Sequence, residues 1–160
     1  MTDMRFSKML WSNSPEDTAV LAQRMATGLR PGDCLMLDGP ISAGKSHFAR
    51  ALIQSVQTVP EAVPSPTFTL VQIYNTRLGE IWHADLYRLT VSDELLELGI
   101  WDAFETVICL IEWPDRLGPI APQHALWLEF NIIGDATDCR EITITGPAAR
   151  WAALLDGVCT

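Results

Sequence analysis

The stretch that decides the fold is Gly39-Pro-Ile-Ser-Ala-Gly-Lys-Ser46, "GPISAGKS". It matches the pattern G-x-x-x-x-G-K-[ST] in full, the signature of a phosphate-cradling loop between a strand and a helix. The flanks meet that requirement. Cys34-Leu-Met-Leu37 before it reads as a short buried strand, and Lys45 to about Gln57 after it reads as a helix with Phe48, Leu52 and Val56 on one face. Gly39 and Gly44 permit backbone angles that other residues resist. The amides of Ser42, Ala43, Gly44, Lys45, Ser46 and His47 can then converge on phosphate oxygens, aided by the positive end of the helix. In such a loop the lysine, here Lys45, reaches the β- and γ-phosphates, and the hydroxyl of Ser46 is a ligand for Mg²⁺. His47 is expected to lend only its amide.

Working outward, a loop of this kind needs an acid near the metal, at the end of a neighbouring apolar strand. Val107 to Glu112, "VICLIE", ends in Glu112 and fits. His83 and Asp85 are two apart on a second candidate strand, so their side chains share a face. Asp85 is a second carboxylate for the metal or for an attacking water. The pair lacks a third metal ligand, and His83 reads as a structural residue. Thr67 lies in a Pro-rich loop, Val59 to Phe68, where nucleotide switches place a threonine that senses the γ-phosphate.

The other elements follow from patterning. Ser14-Pro-Glu-Asp17 opens a first helix that runs through Leu21, Met25 and Leu29. Thr69–Tyr74 and Glu80–Leu86 form an antiparallel hairpin across "NTRLG". Ser92–Gly99 is a short helix with a Ser start and a Gly stop. Thr106–Glu112 is a strand, Leu126–Ile132 and Arg140–Thr145 are a second hairpin, and Pro147–Leu155 is a closing helix. The expected fold is α/β: a three-layer arrangement of the P-loop NTPase kind, with a mixed parallel and antiparallel sheet flanked by helices, in one domain over residues 1–160.

Composition bounds the function. The 160 residues are 48% hydrophobic and 19% charged, a globular balance. The formal net charge of −9 makes the chain a poor solo binder of phosphate backbones, so any nucleic acid would be held by a partner. No apolar run is long enough to span a bilayer, and the N-terminus lacks the apolar core of a signal peptide, so a cytoplasmic location is expected. Cys34, Cys109, Cys139 and Cys159 lack metal-binding spacing, and Cys34 and Cys109, inside apolar runs, read as buried thiols.

Further motifs follow the loop in order: "SPTFTLVQIY" (Ser65–Tyr74), "HADLYRL" (His83–Leu89), "ELGIWDAF" (Glu97–Phe104) and "LIEWPDRLG" (Leu110–Gly118). Together they resemble the TsaE (YjeE) family of small P-loop ATPases of bacterial tRNA modification, closely over Ser12 to Gly118. The resemblance implies ATP and Mg²⁺ as cofactors and a TsaB–TsaD complex as partner. It implies a role in making threonylcarbamoyladenosine beside the tRNA anticodon, with ATP turnover supporting repeated cycles. Contact with tRNA would be indirect, through the partners, and the chain alone would be a monomer off the membrane, slow as an ATPase. By the same resemblance Lys45 binds phosphate and Ser46 holds Mg²⁺. Asp85 serves hydrolysis, Glu112 is the metal acid, and Trp113 is the aromatic residue beside it. Thr67 is the switch, Arg140 approaches the nucleotide, and Ser14–Thr18 line the adenine side.

Two positions depart from the family loop. Pro40 stands where an acid is usual and offers no amide, and Ser42 stands where a glycine is usual. Two rivals share the loop. A small-molecule kinase would need a cluster of lid arginines, and the arginines here are scattered. A nucleotide-binding scaffold without turnover is kept alive by the altered loop.

Overall fold

The computed structural model describes residues 4–59, 61–63, 71–87, 96–134 and 138–158. Thr67, most of the Pro-rich loop, Thr69 and Leu70 of the expected hairpin, Ser92 to Leu95 of the short helix and Cys159 lie outside them.

In chain order the elements are β1 (Arg5–Ser12), α1 (Pro15–Ala26), β2 (Cys34–Asp38), α2 (Lys45–Val56), β3 (Val71–Thr76) and β4 (Gly79–Asp85). They continue with α3 (Ile100–Thr106), β5 (Ile108–Glu112), a 3-10 segment over Pro114–Ile120, β6 (Leu126–Ile132), β7 (Arg140–Pro147) and α4 (Ala148–Val158). Among the described residues all strands belong to one seven-stranded sheet in the order β1-β7-β6-β2-β5-β4-β3. The central four, β6, β2, β5 and β4, run parallel. β7 and β3 pair antiparallel to their inner neighbours, and β1 pairs antiparallel to β7. The mixed sheet expected from the sequence is therefore observed.

Alternation across the pleat sorts the core into two layers. Leu35, Leu37, Ile81, Leu110, Leu128 and Ile144 pack with α1, α2 and α4. Cys34, Met36, Ala84, Cys109 and Ile111 pack on the other side, with α3 and the 3-10 segment. β2 and β5 are buried along nearly their whole length, which is why they read as continuous apolar runs.

Three elements differ from expectation. β1 was not expected. Its residues Arg5 to Ser12 have only a loose two-residue alternation, and pairing with β7 over eight positions makes it a strand. One face sets Phe6 and Leu10 against the core, while Met9 and Trp11 remain exposed on the other. The helix α3 also went unread. Gly99 does end a turn, because residues 96–97 are helical and Gly99 is left-handed at φ 84°, but the chain re-enters a helix at Ile100. That helix claims Thr106, so the apolar strand begins at Ile108. Ile100, Ala103 and Phe104 are buried under the sheet, and burial rather than propensity holds seven residues helical.

Candidate functional site

The site forms where β2, β5 and β4 end together. Leu37 pairs with Glu112 and Glu112 with Asp85, so both acids stand beside the start of the Gly39–Ser46 loop. This is the carboxyl edge of parallel strands, where a helix and a loop diverge from the sheet and leave a crevice.

The loop geometry has specific causes. Gly39 has φ 141°, and a Cβ there would lie 2.5 Å from the Phe130 carbonyl oxygen, so no larger residue fits. Gly44 has φ 105° and stands at the N-cap of α2 with no side-chain capping bond. The residues that open α2, whose first amides have no partner within the helix, line a cavity of about 400 Å³ together with Asp85, Glu112 and Trp113 among others. Ser42 adopts φ 68°, a left-handed angle that a side chain resists. Arg140 braces this bend. Its Nε donates to the Ala43 carbonyl at 2.9 Å and its Nη2 to the Ser42 carbonyl at 3.0 Å. Nη1 donates to the Cys139 carbonyl at 2.9 Å. With the carbonyl of Ala43 held by the guanidinium, the amide of Gly44 in the same peptide plane turns the other way.

Charges meet inside this cavity without neutralising one another. Ser46 Oγ donates to Glu112 Oε1 at 2.8 Å, and His83 Nε2 lies 2.7 Å from Glu112 Oε2. Asp85 Oδ1 accepts from the Tyr87 amide at 3.0 Å. Lys45 Nζ donates to the Gly39 carbonyl and sits 3.4 Å from the centroid of the Trp113 ring. Among the described residues no ion pair joins Lys45 to an acid. Burial lowers the Lys45 pKa, opposed by the fields of Glu112, Asp38, Asp85 and Asp115. Burial raises the Asp85 pKa; the Tyr87 amide pulls it back, and Glu112 pushes it further up. Trp113 is itself left-handed, at φ 59°, and its ring packs on Tyr87 at 5.0 Å between centroids.

Of the residues singled out in the sequence, Lys45, Ser46, Asp85, Glu112 and Trp113 converge on one cavity with Ser42, Gly44 and His47. A second cavity of about 280 Å³ shares Ser42, Gly44 and His47 and adds Pro15, Thr18, Ala43, Asp138 and Arg140. The Pro15–Thr18 segment is thus beside the loop, but the Ser14 hydroxyl is spent on capping α1, accepting from Asp17 N at 3.1 Å. The guanidinium of Arg140 is turned onto loop carbonyls. The His47 ring is engaged with the start of α1, its Nε2 2.8 Å from the Pro15 carbonyl oxygen. Thr67 lies outside the described residues. Tyr87, inside the "HADLYRL" motif, also lines the cavity, and the contact between His83 and Glu112 has no local signal because 29 residues separate them.

The donor set suits a hard cation: a hydroxyl and two carboxylates at the edge of a loop that lines the same cavity. Residues 12–142 match the model of the family described as "Threonylcarbamoyl adenosine biosynthesis protein TsaE". The chain belongs to the TsaE family. A Bacillus subtilis relative named "tRNA threonylcarbamoyladenosine biosynthesis protein TsaE" is 34% identical over 144 residues, covering 89% of this chain and 88% of its own. A TsaE protein of the same name from Rickettsia bellii is 33% identical over 123 residues, covering 77% of this chain and 85% of its own. The crystal structure of Bacillus subtilis YdiB superimposes with a TM-score of 0.78 at 28% identity, over 99% of this chain and 97% of that one. That superposition extends over β1 and α4, beyond the stretch where the sequence motifs are dense. Among the described residues no helix is long and apolar enough to cross a membrane.

Proposed function

We propose that this chain is the Mg-ATP-binding and hydrolysing member of the machinery that makes threonylcarbamoyladenosine in tRNA, acting on a TsaB–TsaD-type complex. The observation that carries the nucleotide part is the convergence of Lys45, Ser46, Asp85 and Glu112 on one cavity beside the amides that open α2. The tRNA part rests on family membership, and the net charge of −9 agrees with partners holding the RNA.

The P-loop amides and Lys45 would bind the β- and γ-phosphates and stabilise charge that spreads over the γ-phosphoryl oxygens. Ser46 and Glu112, with Asp85 nearby, would hold magnesium, which supplies charge neutralisation to the phosphates when bound. Asp85 orients the water whose oxygen bonds to the γ-phosphorus as the bond to the β-phosphate oxygen breaks, giving ADP and phosphate. Its raised pKa suits it to take up the proton that water releases. Trp113 and Tyr87 wall the cavity, and Trp113 keeps Lys45 beside the loop. Thr67 is proposed as the γ-phosphate sensor, and Pro15–Thr18 with Arg140 as the base side of the site.

The test is ATP hydrolysis by the purified chain, alone and then with its cognate TsaB–TsaD pair and tRNA. The expected result is a slow rate that rises with the partners and is lost in Lys45→Ala. Nucleotide binding with no hydrolysis in either condition would replace this reading by a nucleotide-binding scaffold, for which Pro40 and Ser42 are the chain's own departures.

A further inference from the structure

His83 is 1% exposed, and its two ring nitrogens have different surroundings. Nε2 meets Glu112 Oε2 at 2.7 Å, whereas Nδ1 is buried with no hydrogen-bond partner among the described residues. A carboxylate only accepts, so the pairing puts a proton on Nε2. In the tautomer with its one proton on Nε2, a lone pair and no orphan N–H stands at Nδ1. A ring kept only to fill the core would be better served by Phe or Leu, which bury no unpaired polar atom. The imidazole is held for one atom directed at one oxygen.

That oxygen is half of an acid whose other half faces the loop. With Oε2 fixed by His83, Oε1 is presented to Ser46 Oγ at 2.8 Å. Glu112 is 2% exposed, so few waters compete to turn its carboxylate. Of the acids whose fields act on Lys45, Glu112 exerts the largest.

We propose that His83 is the positioning residue of this site, its Nε2–H locking the Glu112 carboxylate in the orientation that presents Oε1 beside Ser46 for magnesium. The inference rests on reading Ser46 and Glu112 as the magnesium-binding pair. It assigns a specific role to a residue that the sequence presents as structural.

Three variants separate the lock from packing. His83→Gln places an amide N–H where Nε2 stands, His83→Asn places it one bond short, and His83→Phe keeps the ring without a donor. Binding of ADP is measured by calorimetry in EDTA and in excess Mg²⁺, after thermal unfolding has checked each fold. The expected result is that Asn and Phe leave affinity in EDTA unchanged but lose about 10- to 100-fold of the gain brought by Mg²⁺, with Gln restoring most of it. With partners present, kcat/KM for ATP should fall in the same order. Asn or Phe keeping the full Mg²⁺ gain would overturn the inference and leave the nucleotide reading intact. If His83→Phe does not fold, Gln against Asn decides, and equal behaviour of the two overturns the lock. A wild-type chain whose ADP binding ignores Mg²⁺ would overturn the magnesium reading together with it.

Discussion

The two ends of the parallel strands both bury charge, and they handle it in opposite ways. At the end away from the loop, Asp33 is paired on every side. Arg150 Nε donates to Oδ1 at 2.9 Å, Arg150 Nη2 bonds Oδ2, and the Arg30 amide donates to Oδ2 at 2.8 Å. Arg150 also donates to the Gly28 carbonyl and lies over the Trp151 ring. At the loop end, Lys45, Asp85 and Glu112 share a cavity, yet each bonds a neutral or backbone group or His83 instead of one another. The first arrangement ties α4 to the base of the sheet. The second leaves charge available for a ligand, and its cost in desolvation appears as the displaced pKa values of Lys45 and Asp85.

The largest test of this contrast is Lys45→Ala. ATP turnover with partners should drop by on the order of 10³-fold, with the thermal midpoint little changed. A large fall in stability instead would mean that Lys45 is structural and that the two ends are alike. The mirror experiment is Arg150→Ala, which leaves Asp33 buried with only the Arg30 amide. Stability should fall by about 3 kcal/mol, a drop of ~10 °C in Tm, with ADP affinity unchanged. Weakened ADP binding in that variant would couple the two ends.

Asp85→Asn sharpens the contrast through pH. Burial raises the Asp85 pKa, so the native chain holds that proton more tightly than the unfolded one does. Stability from this group is therefore lost as pH rises from the ordinary aspartate value through the raised one. Asn removes the loss, so the variant should be more stable than wild type at neutral pH and lose that advantage in acid. Its turnover should fall by about 100-fold or more. Unfolding curves across pH and a hydrolysis assay check both signs. The smallest effect is expected from Ser42→Gly. Relief of the φ 68° strain, less the flexibility that glycine adds, should stabilise the chain by about 0.5 kcal/mol and tighten nucleotide binding slightly. Weaker binding would show that Ser42 makes a contact that glycine cannot.

Legibility in the sequence followed distance along the chain. The loop, its helix and the buried strands β2 and β5 are local patterns, and the residues that face the cavity from them were nameable one by one. β1 was hidden because its strand character comes from β7, more than a hundred residues away, and α3 because its seven residues are helical through burial. The contacts of Arg140 and His83 were hidden for the same reason. Arg140 donates to the loop carbonyls of Ser42 and Ala43, and His83 faces Glu112, each partner far away in the sequence.

By itself the sequence determined the phosphate-cradle motif, the α/β class and the family, because each is written in short-range spacing: glycines where positive φ is required, a strand before and a helix after, ordered motifs beyond. Only the tertiary structure decided which charges stay unpaired. That depends on strand order and register, which set Asp85 beside Glu112 and Glu112 beside the loop, and on burial, which makes each hydrogen-bond partner there matter.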